Sequence, residues 1–306
     1  MNWEKRGLIY CPDGRNWWAK HYAHLPTAHV LDDRIRVYYA GLDENNFGRI
    51  GYVDLAKDNP SQILYIAPEP ILELGDLGTF DDCGLVPSDI IVHEGKIYLY
   101  YIGFQRAERV PYMLFAGLAI SEDGINFERY SRTPILDRTD KEPFLRSATT
   151  LIVEDDLFKM WYVSANKWTT VDEKLYPEYI IRHAQSKDGI HWETLEPISV
   201  DLADDEFGLG RPWAIKDGDT YRLWYSIRSR TRPYRMGYAE SKDGIHWERK
   251  DEKAGIYASE TGWDSEMICY ANVVKIQDQW IMFYNGNQHG RTGFGYAIGA
   301  KDLDAD

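Results

Sequence analysis

The chain has 306 residues, of which 44% are hydrophobic and 14% aromatic, and its formal net charge is −14. So acidic a chain is not expected to bind nucleic acid, because that interaction requires a basic surface. No segment approaches the roughly 18 consecutive apolar residues of a membrane-spanning helix, and no apolar run follows the charged N-terminus as it would in a secretory signal.

A pair of adjacent aromatic residues returns five times along the chain. The pairs are Tyr38-Tyr39, Tyr100-Tyr101, Trp161-Tyr162, Trp224-Tyr225 and Phe283-Tyr284, and their second members are 62, 61, 63 and 59 residues apart. A fixed period of this length indicates repeated supersecondary units. The sequence therefore predicts an all-β fold, a five-bladed β-propeller of four-stranded antiparallel blades, as a single domain over residues 1–306.

Each unit has the same order of parts. A short strand of small residues comes first, then a polar turn, the strand with the aromatic pair, a longer loop and a third strand. The first strands begin at Pro26, Pro87, Arg146, Arg211 and Tyr270. Small side chains suit strands that crowd around a central axis. The N-terminal segment Leu8–Tyr10 is predicted to complete the last blade and close the ring.

A Ser-x-Asp-Gly turn follows the third strand in three of the units. It occupies residues 121–127, 186–192 and 241–247. Asp-Gly between apolar residues is a strong hairpin signal, since glycine readily adopts the positive φ that the turn requires. Recurrence in several blades favours a structural role over the alternative, a metal or ligand loop.

Four of the five units carry a carboxylate four or five residues before the first strand. These residues are Asp82, Glu142, Glu206 and Glu266. In an up-and-down blade these segments share one face with the loops between strands two and three. Carboxylates that converge there would repel each other and raise the pKa of at least one, which separates a general acid from a general base. The alternative is that they cap turns or pair with arginines.

Cationic side chains collect on the same predicted face. Arg146 and Arg211 open two first strands, and the loops add Arg106, Arg109, Arg228, Arg230, Arg232, Arg235, His289 and Arg291. Arginine binds carboxylate and phosphate oxygens in a bidentate manner, so an anionic ligand group is predicted. Ion pairing with the carboxylates is the alternative. Trp17-Trp18, Trp168 and Tyr234 could add stacking surfaces.

These features resemble the five-bladed glycosidase superfamily, which includes arabinanase- and xylosidase-like hydrolases, invertase-like fructosidases and mannoside phosphorylases. The resemblance covers nearly the whole chain. It implies an Asp on the first blade, where this sequence has His24-Leu-Pro-Thr-Ala instead. Shifted by one blade, it implies Asp82 as base or nucleophile, Glu206 as proton donor, and Glu142 as a residue that positions substrate.

The resemblance also implies a set of binding residues. The predicted substrate-binding side chains are Glu266, Arg146, Arg211, His24, Tyr270, His289 and Trp18. In the phosphorylases cationic residues hold inorganic phosphate, a role that Arg146, Arg211 and His289 could fill. Some relatives hold a cation on the central axis, so an axial cation is possible here as well. No histidine spacing indicates a metal site, and no cofactor is predicted.

The predicted function is cleavage of a short, anionic glycan in the axial pocket by carboxylate acid–base catalysis, as a hydrolase or a phosphorylase. Two alternatives stay open: a carbohydrate-binding propeller without catalysis, and a sialidase-like hydrolase, which the turns and arginines resemble less closely. The expected partners are a carbohydrate and inorganic phosphate. Cys11, Cys83 and Cys269 are too sparse for a disulfide scaffold, which indicates a reducing, cytoplasmic location.

Overall fold

The structure is a computed structural model that describes residues 1–301 and 303. Its regular structure is almost entirely β. The strands are, in chain order, β1 Trp3–Tyr10, β2 His21–Val30, β3 Arg34–Leu42, β4 Gly48–Ala56, β5 Ile63–Ile66, β6 Gly84–His93, β7 Lys96–Arg106, β8 Tyr112–Ser121, β9 Glu128–Arg129, β10 Arg146–Glu154, β11 Leu157–Val171, β12 Lys174–Ser186, β13 Glu193–Val200, β14 Glu206–Asp217, β15 Thr220–Ser229, β16 Arg235–Ser241, β17 Glu248–Arg249, β18 Cys269–Ile276, β19 Gln279–Asn285 and β20 Phe294–Gly299.

Among residues 1–301 and 303, the helical content is confined to two short segments. One is a 3-10 turn at Asp251–Lys253, and the other is an irregular turn at Asn287–Gly290 in which two residues have left-handed backbone angles. Within the described part of the chain, no helix is long and apolar enough to cross a membrane.

The strands pair as consecutive antiparallel groups of four. In chain order these are β2–β5, β6–β9, β10–β13 and β14–β17, and the last group joins β18, β19 and β20 to β1. In that last group Trp3 lies opposite Gly299 and Tyr10 opposite Phe294. The prediction that the N-terminal segment completes the last group is therefore confirmed.

The first strands of the groups pack side by side. Each contacts the first strand of the next group, and β18 contacts β2. Side chains bond across these contacts: Ala28 N–H donates to Asn272 Oδ1 at 3.1 Å, and Leu151 N–H donates to Asp89 Oδ2 at 2.6 Å. Small polar residues such as Thr149 are fully buried here, where five strands converge.

The first member of an aromatic pair fastens its group to the next one. Tyr38 Oη donates to the Gly124 carbonyl at 2.7 Å, Tyr100 Oη to the Gly189 carbonyl at 2.8 Å, and Trp161 Nε1 to the Gly244 carbonyl at 2.9 Å. All three acceptors are the glycines of the Ser-x-Asp-Gly turns. The repeated turn thus supplies the carbonyl group through which neighbouring groups are hydrogen-bonded.

Within each turn, side-chain oxygens accept hydrogen bonds from backbone N–H groups. In the first, Asp123 Oδ1 accepts the N–H groups of Ile125 and Asn126, both at 2.8 Å, and Ser121 Oγ accepts the N–H of Gly124 at 2.9 Å. The glycine has a φ of +71°. The strands flanking each turn pair antiparallel, which confirms the hairpin prediction.

Candidate functional site

A cavity of about 470 Å³ lies at the end of the molecule where the first strands begin and the second strands end. This is the end that strand polarity indicated for binding loops. The lining residues are Tyr22, His24, Leu25, Leu42, Val86, Ile102, Phe104, Tyr112, Leu114, Ser147, Ala148, Val163, Tyr176, Tyr179, Phe207, Gly210, Arg211, Arg228, Tyr234, Tyr270 and His289. All five groups contribute, so we call it the axial cavity.

A repeated β-bulge directs side chains into the axial cavity. Every first strand has a register shift near its beginning: His24/Thr27, Pro87/Asp89, Ser147/Thr150, Gly210/Trp213 and Cys269/Asn272. Four of these bulges hold a non-glycine residue at positive φ, namely Leu25, Ala148, Arg211 and Tyr270. All four line the cavity. Such strain costs on the order of 1–3 kcal/mol per residue and is typical of functional sites.

Arg211 lies at the centre of the molecule and is 2% exposed. Its Nη1 donates to the Ala271 carbonyl at 2.7 Å, and its Nη2 donates to Thr27 Oγ1 at 2.7 Å and to the carbonyls of Ser88 and Pro26 at 3.1 and 3.2 Å. One side chain of β14 therefore ties β2, β6 and β18 together. Burial lowers the pKa of Arg211 to about 10, so it carries its charge at neutral pH.

Arg228 supplies a second buried guanidinium. It lies 4.3 Å from the ring centre of Tyr179 and 5.2 Å from that of Phe207, and its Nη2 donates to the Pro177 carbonyl at 3.1 Å. The side chain runs so close to β14 that a Cβ on Gly208 would come within 2.5 Å of its Nε. Glycine at this position therefore makes room for the arginine.

Two histidines lie beside these arginines. Tyr270 is between them, with ring centres 5.1 Å from His24 and 6.3 Å from His289, and Tyr234 packs edge-on against His289 at 4.5 Å. Burial, followed by the charges of His289 and Arg211, lowers the pKa of His24 to about 3. Burial and the charge of Arg228 lower the pKa of His289 to about 4. Both rings are neutral at pH 7.

Four buried polar atoms on residues that line the cavity have no hydrogen-bond partner among the described residues. They are His24 Nε2, Ser147 Oγ, Arg211 Nε and Arg228 Nε. The two arginine atoms are donors, and the other two can donate. Buried polar groups in proteins are normally paired, so donors left open around one cavity indicate a ligand with acceptor oxygens.

The acids expected at this site lie outside the lining. Glu142 accepts the hydroxyl of Tyr162 at 2.9 and 3.0 Å and pairs with Arg146 Nε at 3.1 Å. Glu206 is held by Arg249 through two contacts of 2.9 Å. The geometry therefore differs from the expected convergence on the axis, because arginine and tyrosine partners hold these carboxylates within their own groups. This is the ion-pairing alternative of the sequence prediction.

Asp82 and Glu266 are also absent from the cavity lining. Asp82 Oδ2 accepts the N–H of Gly78 at 2.8 Å, while its Oδ1 is buried without a partner among the described residues. Glu266 is exposed. The acids equivalent to Glu142 are their neighbours: Asp81 accepts the hydroxyl of Tyr101 at 3.0 Å, and Asp264 accepts that of Tyr284 at 2.9 Å.

Apart from Glu266, which is exposed, the predicted substrate-binding residues divide into two sets. His24, Arg211, Tyr270 and His289 line the axial cavity. Two others pack in the walls. Arg146 is buried against Tyr162 and donates to the Asp137 carbonyl at 2.6 Å. Trp18 is fully buried and donates to the Pro68 carbonyl at 2.9 Å.

Most lining residues are absent from the predicted site, among them the polar residues Ser147 and Tyr179. Ser147 belongs to a small-residue first strand, the pattern that marks strands at the axis, so its position carried a signal. Tyr179 lies on the long hairpin of β11 and β12, and nothing in the repeat distinguishes it from the other tyrosines.

The residues on the axis do not fit a metal ion. Carbonyl oxygens that converge there already accept hydrogen bonds from the Arg211 guanidinium, whose positive charge would repel a cation. In residues 1–301 and 303, no group of three His, Cys, Asp or Glu side chains is arranged to hold a metal.

Two relatives by sequence are informative, although no protein-family model matches the chain. "Uncharacterized protein Rv1502" of Mycobacterium tuberculosis (strain ATCC 25618 / H37Rv) is 36% identical over 300 residues, which cover 97% of this chain and 99% of that protein. "1,2-beta-oligomannan phosphorylase" of Thermoanaerobacter sp. (strain X514) is 29% identical over 169 residues, which cover 52% of this chain and 53% of that protein.

Solved structures share the fold. One, a glycoside hydrolase, has a TM-score of 0.73 and 20% identity, covering 96% of this chain and 90% of that protein. Another comes from work on the GH130 family of mannoside phosphorylases, which contains glycoside hydrolases that target β-1,2 mannosidic linkages in Candida mannan. It has a TM-score of 0.70 and 16% identity, covering 97% and 93%. The predicted resemblance to glycosidases and mannoside phosphorylases is confirmed for the fold.

Proposed function

We propose that this chain, which belongs to the same family as Rv1502 of Mycobacterium tuberculosis, is a glycoside-cleaving enzyme that binds an anionic glycan in its axial cavity. The five antiparallel groups are, in this proposal, the blades of one five-bladed propeller domain. The fold shared with glycoside hydrolases and mannoside phosphorylases supports action on a glycan. The unpartnered donors around the cavity carry the proposal that the substrate is anionic.

Charge supports the same conclusion. The chain has a formal net charge of −14, yet two buried arginines line the axial cavity and no aspartate or glutamate does so among the described residues. A cationic cavity in an acidic protein concentrates anions at one place. A phosphate or carboxylate on the glycan, or inorganic phosphate as the attacking group, would be attracted by the guanidinium charges of Arg211 and Arg228.

Asp82 is the proposed acid–base residue. Among the predicted acids, it alone has a buried carboxylate oxygen without a hydrogen-bond partner among the described residues. The Cys83 N–H donates to the Phe104 carbonyl at 3.0 Å, which extends the β6–β7 ladder toward Asp82. Asp82 lies in the turn two residues before β6, and Val86 of that strand is in the lining. Glu142 and Glu206 are both ion-paired, and we propose that they hold in place the strands around the cavity.

The test is a screen of aryl glycosides and short oligosaccharides, run with and without inorganic phosphate. On a substrate found in this way, Asp82→Asn should lower turnover at least about a hundredfold, the scale of one acid–base group, without changing the melting temperature. Asp76→Asn is the matched control, since Asp76 belongs to the same segment but forms an exposed ion pair with Arg132. Equal turnover of the two variants would remove Asp82 from the reaction.

A second candidate is a glycan-binding propeller without catalysis. The absence of carboxylates from the lining favours it, because binding needs hydrogen-bond donors and aromatic surfaces but no proton donor. Tight binding of an oligosaccharide that is recovered unchanged, with and without phosphate, would establish this function instead.

The three cysteines are free, which supports a reducing, cytoplasmic compartment for either candidate.

A further inference from the structure

The axial cavity has two chemically different walls. The arginines, the histidines and Tyr234 come from the last two groups and from the first residues of β2. The first three groups contribute six aliphatic side chains to the lining, alongside the polar residues Ser147, Tyr112 and Tyr179. We call the six aliphatic residues the aliphatic wall: Leu25, Leu42, Val86, Ile102, Leu114 and Val163.

The aliphatic wall is part of a packed core. Leu25, Val86, Ile102 and Val163 belong to one hydrophobic cluster, in which Leu114 is partly buried. Their side chains are fixed by neighbours on three groups of strands, so they form a permanent apolar surface. No side chain in this wall can donate or accept a hydrogen bond.

This wall is a poor surface for a sugar ring. Each hydroxyl that left water to face it would lose hydrogen bonds without gaining a partner, which costs free energy. An alkyl or aryl group would instead be stabilised there by leaving water. The cavity volume, about 470 Å³, lies within the range of sites that take a whole small molecule, so both walls can act on one ligand.

We propose that the ligand of the axial cavity is amphiphilic, with an anionic group on Arg211 and Arg228 and an apolar substituent against the aliphatic wall. This inference rests on the anion site of the proposed function and specifies its substrate class: an anionic glycoside with an apolar aglycone. The apolar wall selects the substituent, and the arginines fix its orientation.

A homologous series of n-alkyl phosphates, from methyl to octyl, tests the proposal by titration calorimetry on the full chain. Each methylene that reaches the wall should lower Kd about fourfold, the factor that corresponds to burial of one CH₂ group, until the wall is covered. A parallel series of alkyl carboxylates distinguishes phosphate from carboxylate as the anion. The same slope is expected in both series, with different absolute affinities.

Matched variants locate the effect. Val86→Thr keeps the shape of the wall but adds a hydroxyl, so it should weaken octyl phosphate about tenfold and methyl phosphate little. Val92→Thr, on the same strand but 58% exposed, should change neither. Arg228→Gln should weaken every member of the series by a similar factor and leave the slope unchanged.

The outcomes separate this inference from the proposed function. If Kd does not change with alkyl length and a sugar phosphate binds as tightly as octyl phosphate, the proposed role of the aliphatic wall is wrong. The anion site would then remain supported. If neither alkyl nor sugar phosphates or carboxylates bind, the anion site fails and this inference fails with it. A slope that survives Val86→Thr unchanged would place the alkyl chain elsewhere and also contradict the proposal.

Discussion

The Ser-x-Asp-Gly turns at one end of the molecule and the bulges of the axial cavity at the other handle backbone strain and hydrogen bonding in opposite ways. In the Ser-x-Asp-Gly turns, positive φ falls on glycines such as Gly124 and the turn N–H groups have side-chain acceptors. At the cavity end, positive φ falls on Arg211, Tyr270 and other non-glycine residues, and donors are left open. The turn end pairs these N–H groups within the protein. The other keeps unfavourable backbone and unpaired donors, which a ligand would compensate.

The largest effect should come from the residue that joins both roles, Arg211. Arg211→Met would leave the carbonyls of Pro26, Ser88 and Ala271 without their donor in a dry interior. We expect a loss of about 3 kcal/mol in unfolding free energy, measured by urea denaturation, together with loss of alkyl phosphate binding. Arg232→Met, on an exposed loop, should cost less than about 0.5 kcal/mol. A fully stable Arg211→Met would show that the axis does not depend on this side chain.

Next in size is the pH dependence caused by His24. The pKa of His24 is about 3 in the folded chain against 6.5 as the ordinary value, so between these limits the unfolded state takes up a proton that the folded state does not. Stability therefore falls as pH decreases through this window. Glutamine does not titrate, so the unfolding free energy of the wild type relative to His24→Gln should drop on the order of 2 kcal/mol from pH 7 to pH 4. A pH-independent difference would contradict the buried, neutral ring.

A pair of glycines on β14 tests the placement of Arg228. A Cβ on Gly208 would meet the Arg228 Nε at 2.5 Å, whereas a Cβ on Gly210 would find its nearest atoms at 4.0 Å. Gly208→Ala should therefore move the guanidinium and weaken the tightest alkyl phosphate about tenfold, or about 1.4 kcal/mol. Gly210→Ala should change its Kd within about twofold. Equal effects would mean that Arg228 does not contact the anion.

The smallest effect is expected at the turn end. Asp123→Ala removes the acceptor of two backbone N–H groups and should cost about 1 kcal/mol, with no change in alkyl phosphate binding. Those hydrogen bonds lower the pKa of Asp123, so its stabilisation is present above the usual carboxylate range and is lost as pH falls through the folded pKa. Glu122→Ala, at the exposed neighbouring position, is the control. Weaker ligand binding by Asp123→Ala would contradict the assignment of ligand binding to the cavity end.

The repeat made much of this arrangement readable from the sequence. The aromatic period located the strand groups, and the Asp-Gly turns located the hairpins. His24, Arg211, Tyr270 and His289 were predicted as binding residues and line the cavity. The acids were harder to assign, because the chain offers adjacent carboxylates at Asp81 and Asp82, and sequence spacing cannot say which one meets Tyr101.

What the sequence determined by itself was the periodic part: strand order, the turn chemistry and the small residues near the axis, all of which follow from local preferences repeated along the chain. Tertiary structure decided the rest. Only the pairing of strands within each group placed Glu142 beside Tyr162 and Glu206 beside Arg249, and only the bulges turned Arg211 inward. Those outcomes depend on contacts between residues far apart in the chain, where charge and available space, not local pattern, select the partner.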